Sequence, residues 1–273
     1  MGNLLKVNEL QIELVTARGV VRAVDGVSFC IDAGETVTII GESGSGKSTT
    51  AMGILGLLAD DLAVPSGSVQ FKDCEILGKA KALSEIRGKH IALIPQDPMT
   101  ALSPVHTIGS QLREAVRHSG IRGKSAETAR AVELLEQVHI PDPAAQLAKY
   151  PHQLSGGMLQ RVLIAAALAA GPELIIADEP TSALDVTVQA NILDLLLELQ
   201  ERTGIGMLVI THDLVARLVS DRIYVMKDGA FVENGGAEEL VRRPQSAYTK
   251  KLLAAVPVLG PWSAGETKAG VRA

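Results

Sequence analysis

Nine consecutive residues combine three glycines, one lysine and four hydroxyl side chains: Gly41, Glu42, Ser43, Gly44, Ser45, Gly46, Lys47, Ser48 and Thr49. They follow a short apolar run, Thr36–Ile40, and open a stretch of helical character over residues 47–58. Glycines let the backbone curl until successive N–H groups and the helix N-terminus face an anion, and a lysine at this spacing reaches the β- and γ-phosphates. Ser48 is placed to ligate Mg²⁺. The pattern predicts a nucleotide-binding loop; the alternative is a glycine turn before an unrelated helix.

Two adjacent acids, Asp178 and Glu179, follow the apolar run 174–177. The carboxyl end of a buried strand is where ligands meet an open α/β sheet. Asp178 is predicted to hold Mg²⁺, and Glu179 to orient and polarise the water that attacks the γ-phosphate. The alternative is that both acids cap the following turn, since Pro180 comes next and acids favour helix starts.

Two further polar residues leave apolar runs in the same way. His212 follows the run 207–210, and Gln96 follows the run 91–94 and Pro95. The imidazole of His212 could hydrogen-bond the γ-phosphate or the attacking water. Taken singly, each is also an ordinary polar residue at the end of a strand.

The elements that must position these residues follow from hydrophobic periodicity. Residues 7–14 and 24–31 alternate apolar with polar, which predicts half-exposed antiparallel strands in a small N-terminal β-subdomain. The runs 174–177 and 207–210 are typical of parallel strands buried on both faces. Between them lies a helical repeat of apolar residues: Val188, Ile192, Leu195 and Leu199. The β-α-β order predicts an α/β protein with a parallel sheet.

The segment 97–160 has no β-rich run and shows helical patterning, as in residues 128–138, so we expect a helical insertion. The predicted division is therefore a nucleotide-binding core with the β-subdomain over 1–96 and 161–240, and a helical subdomain over 97–160. Residues 241–273 form a C-terminal tail, expected to be loose from Pro257 onward.

Composition excludes several classes of protein. Lys and Arg total 26 against 31 for Asp and Glu, and the net charge of −5 would repel a nucleic acid. The two cysteines, Cys30 and Cys74, have no metal-site spacing and are expected to be ordinary buried thiols in a reducing compartment. The longest apolar run, 162–170, is too short to cross a bilayer, so we expect a cytosolic chain that does not span the membrane.

A resemblance to a known family rests on four motifs besides the glycine-rich loop and the two acids. Leu154, Ser155, Gly156, Gly157 and Met158 resemble the signature of ATP-binding-cassette (ABC) proteins. In the order typical of that family, Gln96 matches the Q-loop, residues 182–185 the D-loop and His212 the switch histidine, so that the resemblance covers residues 7–235. It implies a P-loop NTPase (RecA-like) core that binds ATP with Mg²⁺, where Gln96 joins Ser48 and Asp178 around the metal ion.

The resemblance also implies a dimer. Ser155 is a good N-cap, and the glycines after it permit close backbone approach at a helix N-terminus, so the signature is a second anion site. In this family the signature and D-loop, with Asp185, close on ATP held by a second ABC ATPase, identical or different. Lys47, Glu179, Gln96 and His212 are then the catalytic residues. An adenine-stacking aromatic is missing; Arg18 takes its place and either stacks its guanidinium on the base or is a solvated surface charge.

The stretch 96–109 is similar to one found in the ATPases of oligopeptide, dipeptide and nickel importers, and residues 244–257 resemble the C-terminal peptide of the same family. This implies that residues 97–106 receive the coupling helix of the membrane subunits. The expected complex has two transmembrane permease subunits and an extracytoplasmic substrate-binding protein, with this chain peripheral on the cytoplasmic face of the inner membrane. An ABC exporter ATPase and a soluble nucleic-acid-acting ABC ATPase are the alternatives.

Overall fold

The computed structural model describes residues 2–17, 19–59, 61–182, 184–213 and 219–254. The strands are β1 (Leu5–Thr16), β2 (Gly19–Ile31), β3 (Thr36–Ile40), β4 (Ala63–Phe71), β5 (Cys74–Glu75), β6 (Ile91–Ile94), β7 (Leu174–Asp178), β8 (Gly206–Thr211), β9 (Arg222–Lys227) and β10 (Ala230–Gly236). The helices are α1 (Lys47–Ile54), α2 (Ala80–Ile86), α3 (Pro98–Ala101), α4 (Ile108–His118), α5 (Lys124–Gln137), α6 (Pro143–Gln146), α7 (Gly156–Leu168), α8 (Val186–Thr203), α9 (Ala237–Arg242) and α10 (Ala247–Ala254). The chain divides into two compact units, Met1–Ser84 with Gly206–Ala273, and Glu85–Ile205.

The first unit contains the antiparallel β-subdomain, a sheet in the order β2-β1-β4-β5. Its inward side chains, such as Leu10 and Ile12, are fully buried and alternate with exposed ones, as the sequence predicted. Both predicted strands are longer than expected, because the β1–β2 pairing continues beyond the buried part to Thr16 and Gly19. Val20 in this extension is 63% exposed. The extension therefore lacks the alternation of buried and exposed residues from which the strands were predicted.

The same unit carries a second sheet segment in the order β10-β9-β3-β8. Strand β3 pairs in parallel with both β8 and β9, and β10 pairs antiparallel with β9. Every residue of β3 and β8 is buried, and the parallel pairing of β8 with β3 confirms the parallel strand predicted over 207–210. Neither β9 nor β10 is among the predicted strands.

Helix α1 ends at Ile54 and not near residue 58 as predicted. Gly56 has a φ of +57°, a left-handed conformation that commonly stops a helix. The helix also packs tightly on β1: a Cβ on Gly53 would lie 2.3 Å from Cδ1 of Ile12. The short helix is thus fixed against the antiparallel sheet just after the glycine-rich loop.

In the second unit, β6 and β7 form a parallel pair, from Ile91 opposite Leu174 to Ile94 opposite Ala177. Every regular element between residues 97 and 160 is helical. The helices α4, α5 and α7 contribute the fully buried residues Leu112, Val116, Leu134, Leu135 and Val162 to the core. These helices therefore share an apolar core, and α7 continues past residue 160, so that Val162 lies beyond the bounds predicted for the insertion.

Cys74 is exposed and Cys30 is half-buried, so the predicted burial of both thiols is wrong. Cys74 begins the two-residue edge strand β5, after a turn in which Lys72 and Asp73 both have positive φ. A strand this short at a sheet edge buries little. Within the described ranges, no helix combines the length and apolarity needed to cross a membrane.

Candidate active site

The glycine-rich loop of the first unit connects the buried strand β3 to α1. Gly46 is the N-cap of α1 with a φ of 105°, and no side chain caps the helix. Gly44 has a φ of +82° with nothing near the position of a Cβ, so its backbone conformation alone requires glycine. No side chain therefore accepts hydrogen bonds from the first N–H groups of α1, and these groups can bind the oxygens of a phosphate.

Two of the glycines are required by the protein's own backbone. A Cβ on Gly41 would lie 2.2 Å from the carbonyl oxygen of Met226 in β9, and one on Gly46 would lie 2.3 Å from that of Ala23 in β2. Side chains at these positions would therefore clash before any ligand was present. The sequence suggested only that glycines let the backbone approach phosphate.

Lys47 lies across the curve of the loop. Its side chain is buried, and Nζ donates hydrogen bonds to the carbonyl oxygens of Gly41 at 2.8 Å and Glu42 at 2.9 Å. The hydroxyl of Ser45 is also buried and has no hydrogen-bond partner among the described residues. A fixed cation beside an unsatisfied buried hydroxyl is a setting into which phosphate oxygens fit.

In the second unit, β7 ends at Asp178, which is 3% exposed. Glu179 follows with a φ of +45°, and its carbonyl accepts hydrogen bonds from the N–H and hydroxyl of Ser182. A positive φ is uncommon for a residue other than glycine and occurs frequently at functional sites. The turn therefore directs the Glu179 side chain differently from a continued strand.

The side chain of Glu179 contacts Gln96. Nε2 of Gln96 donates to Oε2 of Glu179 at 2.9 Å. This leaves the amide oxygen Oε1 of Gln96 as the atom that a cation would use. The structure therefore brings together two of the predicted catalytic residues, which lie 83 positions apart in the sequence.

The signature segment begins α7. Ser155 is its N-cap, and Oγ accepts a hydrogen bond from the N–H of Met158 at 3.4 Å, as the sequence predicted. A Cβ on Gly157 would lie 2.7 Å from Cγ1 of Val188 in α8, whereas one on Gly156 would be 3.4 Å from Leu184. Gly157 is therefore needed for packing of α7 against α8, a requirement that the sequence did not indicate.

Three remaining predictions have different outcomes. Asp185 is the N-cap of α8, and its Oδ1 accepts a hydrogen bond from the N–H of Val188 at 3.0 Å. His212 directly follows β8 and is exposed. Arg18 lies outside the described residues, so both interpretations of it, stacking on the adenine and a solvated surface charge, stay open. No group of three or more His, Cys, Asp or Glu residues that could hold a metal ion occurs in the described part of the chain.

The model of the ABC transporter family matches residues 24–182, more than half of the chain. The chain belongs to the ABC transporter family. It is an ABC transporter ATPase, as its motifs predicted, and its relatives extend the match nearly end to end. It is 45% identical to the dipeptide transport ATP-binding protein DppD of Haemophilus influenzae over 93% of this chain and 78% of the relative. It is 48% identical to the oligopeptide transport ATP-binding protein OppD of Mycobacterium tuberculosis over 95% of this chain, but only 43% of that relative.

Solved ABC structures share the fold. A dimeric, post-hydrolysis structure of the ATP-binding cassette MJ0796 bound to ADP and Pi matches with a TM-score of 0.76 and 30% identity, over 85% of this chain and 98% of that one. CbiO1 of Clostridium perfringens, part of the transporter complex cbiONQ, matches with a TM-score of 0.76 and 28% identity, over 89% of this chain and 92% of that one. The predicted α/β fold of this ABC ATPase, with an antiparallel β-subdomain, is confirmed.

Proposed function

We propose that this chain is the ATP-binding and ATP-hydrolysing subunit of an importer of di- or oligopeptides. The observation that carries the proposal is its 45% identity to a dipeptide transport ATP-binding protein over 93% of its length. The relatives compared above are named for dipeptide and oligopeptide transport. The proposal therefore commits to peptides, and nickel, the other predicted cargo, becomes an outcome of the test.

The glycine-rich loop binds the phosphates of ATP in this proposal. The backbone N–H groups of 41–49 and the start of α1 face the phosphate oxygens, and Lys47 supplies the charge at the β- and γ-phosphates. The buried hydroxyl of Ser45 and the fixed Nζ of Lys47 support this assignment.

The hydroxyl of Ser48, the amide oxygen of Gln96 and the carboxylate of Asp178 would hold Mg²⁺. These are hard oxygen donors of the kind that Mg²⁺ prefers, and the Gln96–Glu179 hydrogen bond leaves the correct amide atom for a cation. When bound, the ion neutralises charge on the phosphate oxygens.

Glu179 acts as the general base that orients and polarises the attacking water, and Gln96 holds its carboxylate by the 2.9 Å hydrogen bond. His212, which directly follows β8, hydrogen-bonds the γ-phosphate or the attacking water. The Glu179 carboxylate takes a proton from the water as the oxygen of that water bonds to the γ-phosphorus. The bond from the γ-phosphorus to the bridging oxygen breaks, and this oxygen leaves as part of ADP.

The working unit is a pair of ABC ATPases, identical or different. Ser155, Gly156, Gly157 and the D-loop residue Asp185 contact the ATP held by the partner, so that ATP favours the closed pair and hydrolysis releases it. The complex also contains two transmembrane permeases and an extracytoplasmic binding protein, and this chain lies on the cytoplasmic face of the membrane.

Each predicted part of the chain has its own role in this complex. The core (1–96, 161–240) hydrolyses ATP, residues 97–160 form the helical subdomain that meets the permeases, and 241–273 form the tail.

The test has two parts. In purified protein, Lys47→Ala should lose ATP binding in a nucleotide titration, and retained affinity would refute the assignment of the loop. In cells that lack the gene, uptake of labelled dipeptide and of nickel is measured with wild type or Lys47→Ala restored. Dipeptide uptake rescued only by wild type supports the proposal. Rescue of nickel uptake alone, or a defect in export or in nucleic-acid metabolism without an uptake defect, would overturn it.

A further inference from the structure

The C-terminal helix α10 packs on the strand that leads into the glycine-rich loop. Tyr248, Leu252 and Leu253 contact a buried apolar cluster formed by Ile40, Ile223, Val225, Ala237 and Leu240. Ile40 is the last residue of β3 and directly precedes the loop. Helix α10 therefore packs against the end of β3, at the point where the glycine-rich loop begins.

Tyr248 also bonds to the loop itself. Its hydroxyl oxygen accepts a hydrogen bond from the backbone N–H of Glu42 at 3.1 Å. The ring is held by a second contact, since Nζ of Lys227 in β9 lies 5.4 Å from its centroid. The apolar cluster and Lys227 together hold the ring of Tyr248, so its hydroxyl oxygen stays in place to accept the hydrogen bond from Glu42.

Glu42 is consequently bound at both ends of its backbone. Its N–H donates to Tyr248, and its carbonyl oxygen accepts from Nζ of Lys47 at 2.9 Å. Tyr248 therefore fixes the residue that supplies one of the acceptors holding the ammonium group of Lys47. The same carbonyl also accepts a hydrogen bond from the N–H of Ser45 at 3.2 Å, so release of the Glu42 N–H would loosen this acceptor without freeing it.

The start of α10 is fixed by Glu233 of β10. Its Oε1 accepts a hydrogen bond from the N–H of Gln245 at 2.7 Å, and Oε2 accepts one from the N–H of Ser246 at 3.0 Å. Ser246 Oγ in turn accepts from the N–H of Tyr248 at 3.2 Å. A carboxylate bound by two amides thus anchors the segment that carries Tyr248.

We propose that Tyr248 is a positioning residue for the glycine-rich loop, and that α10 clasps the loop so as to hold Lys47 ready for nucleotide. The inference rests on the proposed function in one respect, that the loop binds the phosphates of ATP. The tail, which the sequence linked only to a family resemblance, is thereby assigned a role in ATP affinity.

Tyr248→Phe tests the hydroxyl without removing the ring. Loss of one hydrogen bond predicts about fivefold weaker ATP binding and a matching rise in KM, while kcat at saturating ATP stays within about twofold. Lys251→Ala, an exposed change on the same helix, is the matched control and should bind ATP as wild type does. Unchanged ATP affinity in Tyr248→Phe, or an equal loss in Lys251→Ala, would overturn the proposal.

Hydrogen exchange in the nucleotide-free protein gives a readout that does not depend on ATP. The amide of Glu42 should exchange several-fold faster in Tyr248→Phe than in wild type, because its acceptor is gone. If wild type itself binds no ATP, the proposed function fails. If wild type binds ATP and the Glu42 amide exchanges equally in both proteins, the positioning role alone fails.

A double-mutant cycle tests whether the anchor acts through Tyr248. Glu233→Ala should also weaken ATP binding, although Glu233 lies on β10 and contacts the start of α10. Adding Tyr248→Phe to Glu233→Ala should then cost less affinity than it costs in wild type. Fully additive losses in affinity would show that the two residues act separately, and would refute the proposal that α10 positions the loop through Tyr248.

Discussion

The amide of Gln96 holds the carboxylate of Glu179 at the ends of two neighbouring parallel strands. Ile94 and Ala177 are opposite one another in the β6–β7 ladder, and each functional residue lies two positions further along its chain. The equal offset brings Nε2 and Oε2 to 2.9 Å. The orientation of the proposed base is therefore set by strand register as well as by the turn at Glu179.

Changing Gln96 to Glu should alter the pH dependence of hydrolysis. Two carboxylates at hydrogen-bond distance cannot both ionise easily, so the pKa of one of them rises. A base must be deprotonated, so the acidic limb of the kcat–pH profile should move to higher pH by about one unit or more. Gln96→Ala removes the bond without adding charge and should lower kcat without this shift. Identical pH profiles for both variants would contradict the contact.

Glu179→Gln should lower ATP hydrolysis by about two orders of magnitude or more, because the amide cannot accept the proton of the attacking water. ATP binding should be kept, since Lys47 and the loop are unchanged. Single-turnover hydrolysis and a nucleotide titration measure the two effects. Glu201→Gln, a change at an exposed residue of α8, is the control. Undiminished hydrolysis in Glu179→Gln would refute the role of this carboxylate.

Gly157→Ala should destabilise the protein by about 1–3 kcal/mol, because the new methyl group overlaps Val188 at 2.7 Å. Thermal unfolding measures the loss. Gly156→Ala, whose methyl group would meet Leu184 at an ordinary 3.4 Å, should leave the melting temperature almost unchanged.

The double variant Gly157→Ala, Val188→Ala makes room for the methyl group and should recover part of the stability. A Gly157→Ala protein as stable as wild type would refute the requirement for glycine where α7 packs on α8.

The carboxylate of Glu75 should make stability depend on pH. Burial raises its pKa, but hydrogen bonds from the Ser68 hydroxyl and from the N–H groups of Val69 and Leu77 outweigh burial, and the net pKa is lowered. A lowered folded pKa stabilises the protein above the ordinary carboxyl pKa, and this contribution is lost as pH falls through the folded value.

Glu75→Gln should consequently melt about 3 °C below wild type at pH 7, with the difference closing as the pH is lowered toward 3. Melting curves across this range measure it, with Glu85→Gln, an exposed change on α2, as the control. A gap that widens on acidification would contradict the direction of the pKa change.

Features that depend on nearby residues were predictable from the sequence. The strand, loop and helix around Lys47 follow from a buried apolar run, closely spaced glycines and a helical repeat. The N-cap at Ser155 is likewise local, because its hydroxyl oxygen accepts from the N–H of Met158 only three residues later. Helix α1 was predicted one turn too long, because its end depends on the backbone of Gly56 and on packing against Ile12.

By itself, the sequence determined the chemistry available to this protein: the phosphate-binding loop, the acids after β7, the signature helix start and the family. Only the tertiary structure decided which distant groups meet. Gly157 packs on Val188, Gln96 bonds to Glu179, and Tyr248 reaches Glu42 across 206 positions. Local patterns arise from backbone geometry within a few residues, whereas these contacts depend on strand register and on how helices pack on sheets, which no short stretch of sequence encodes.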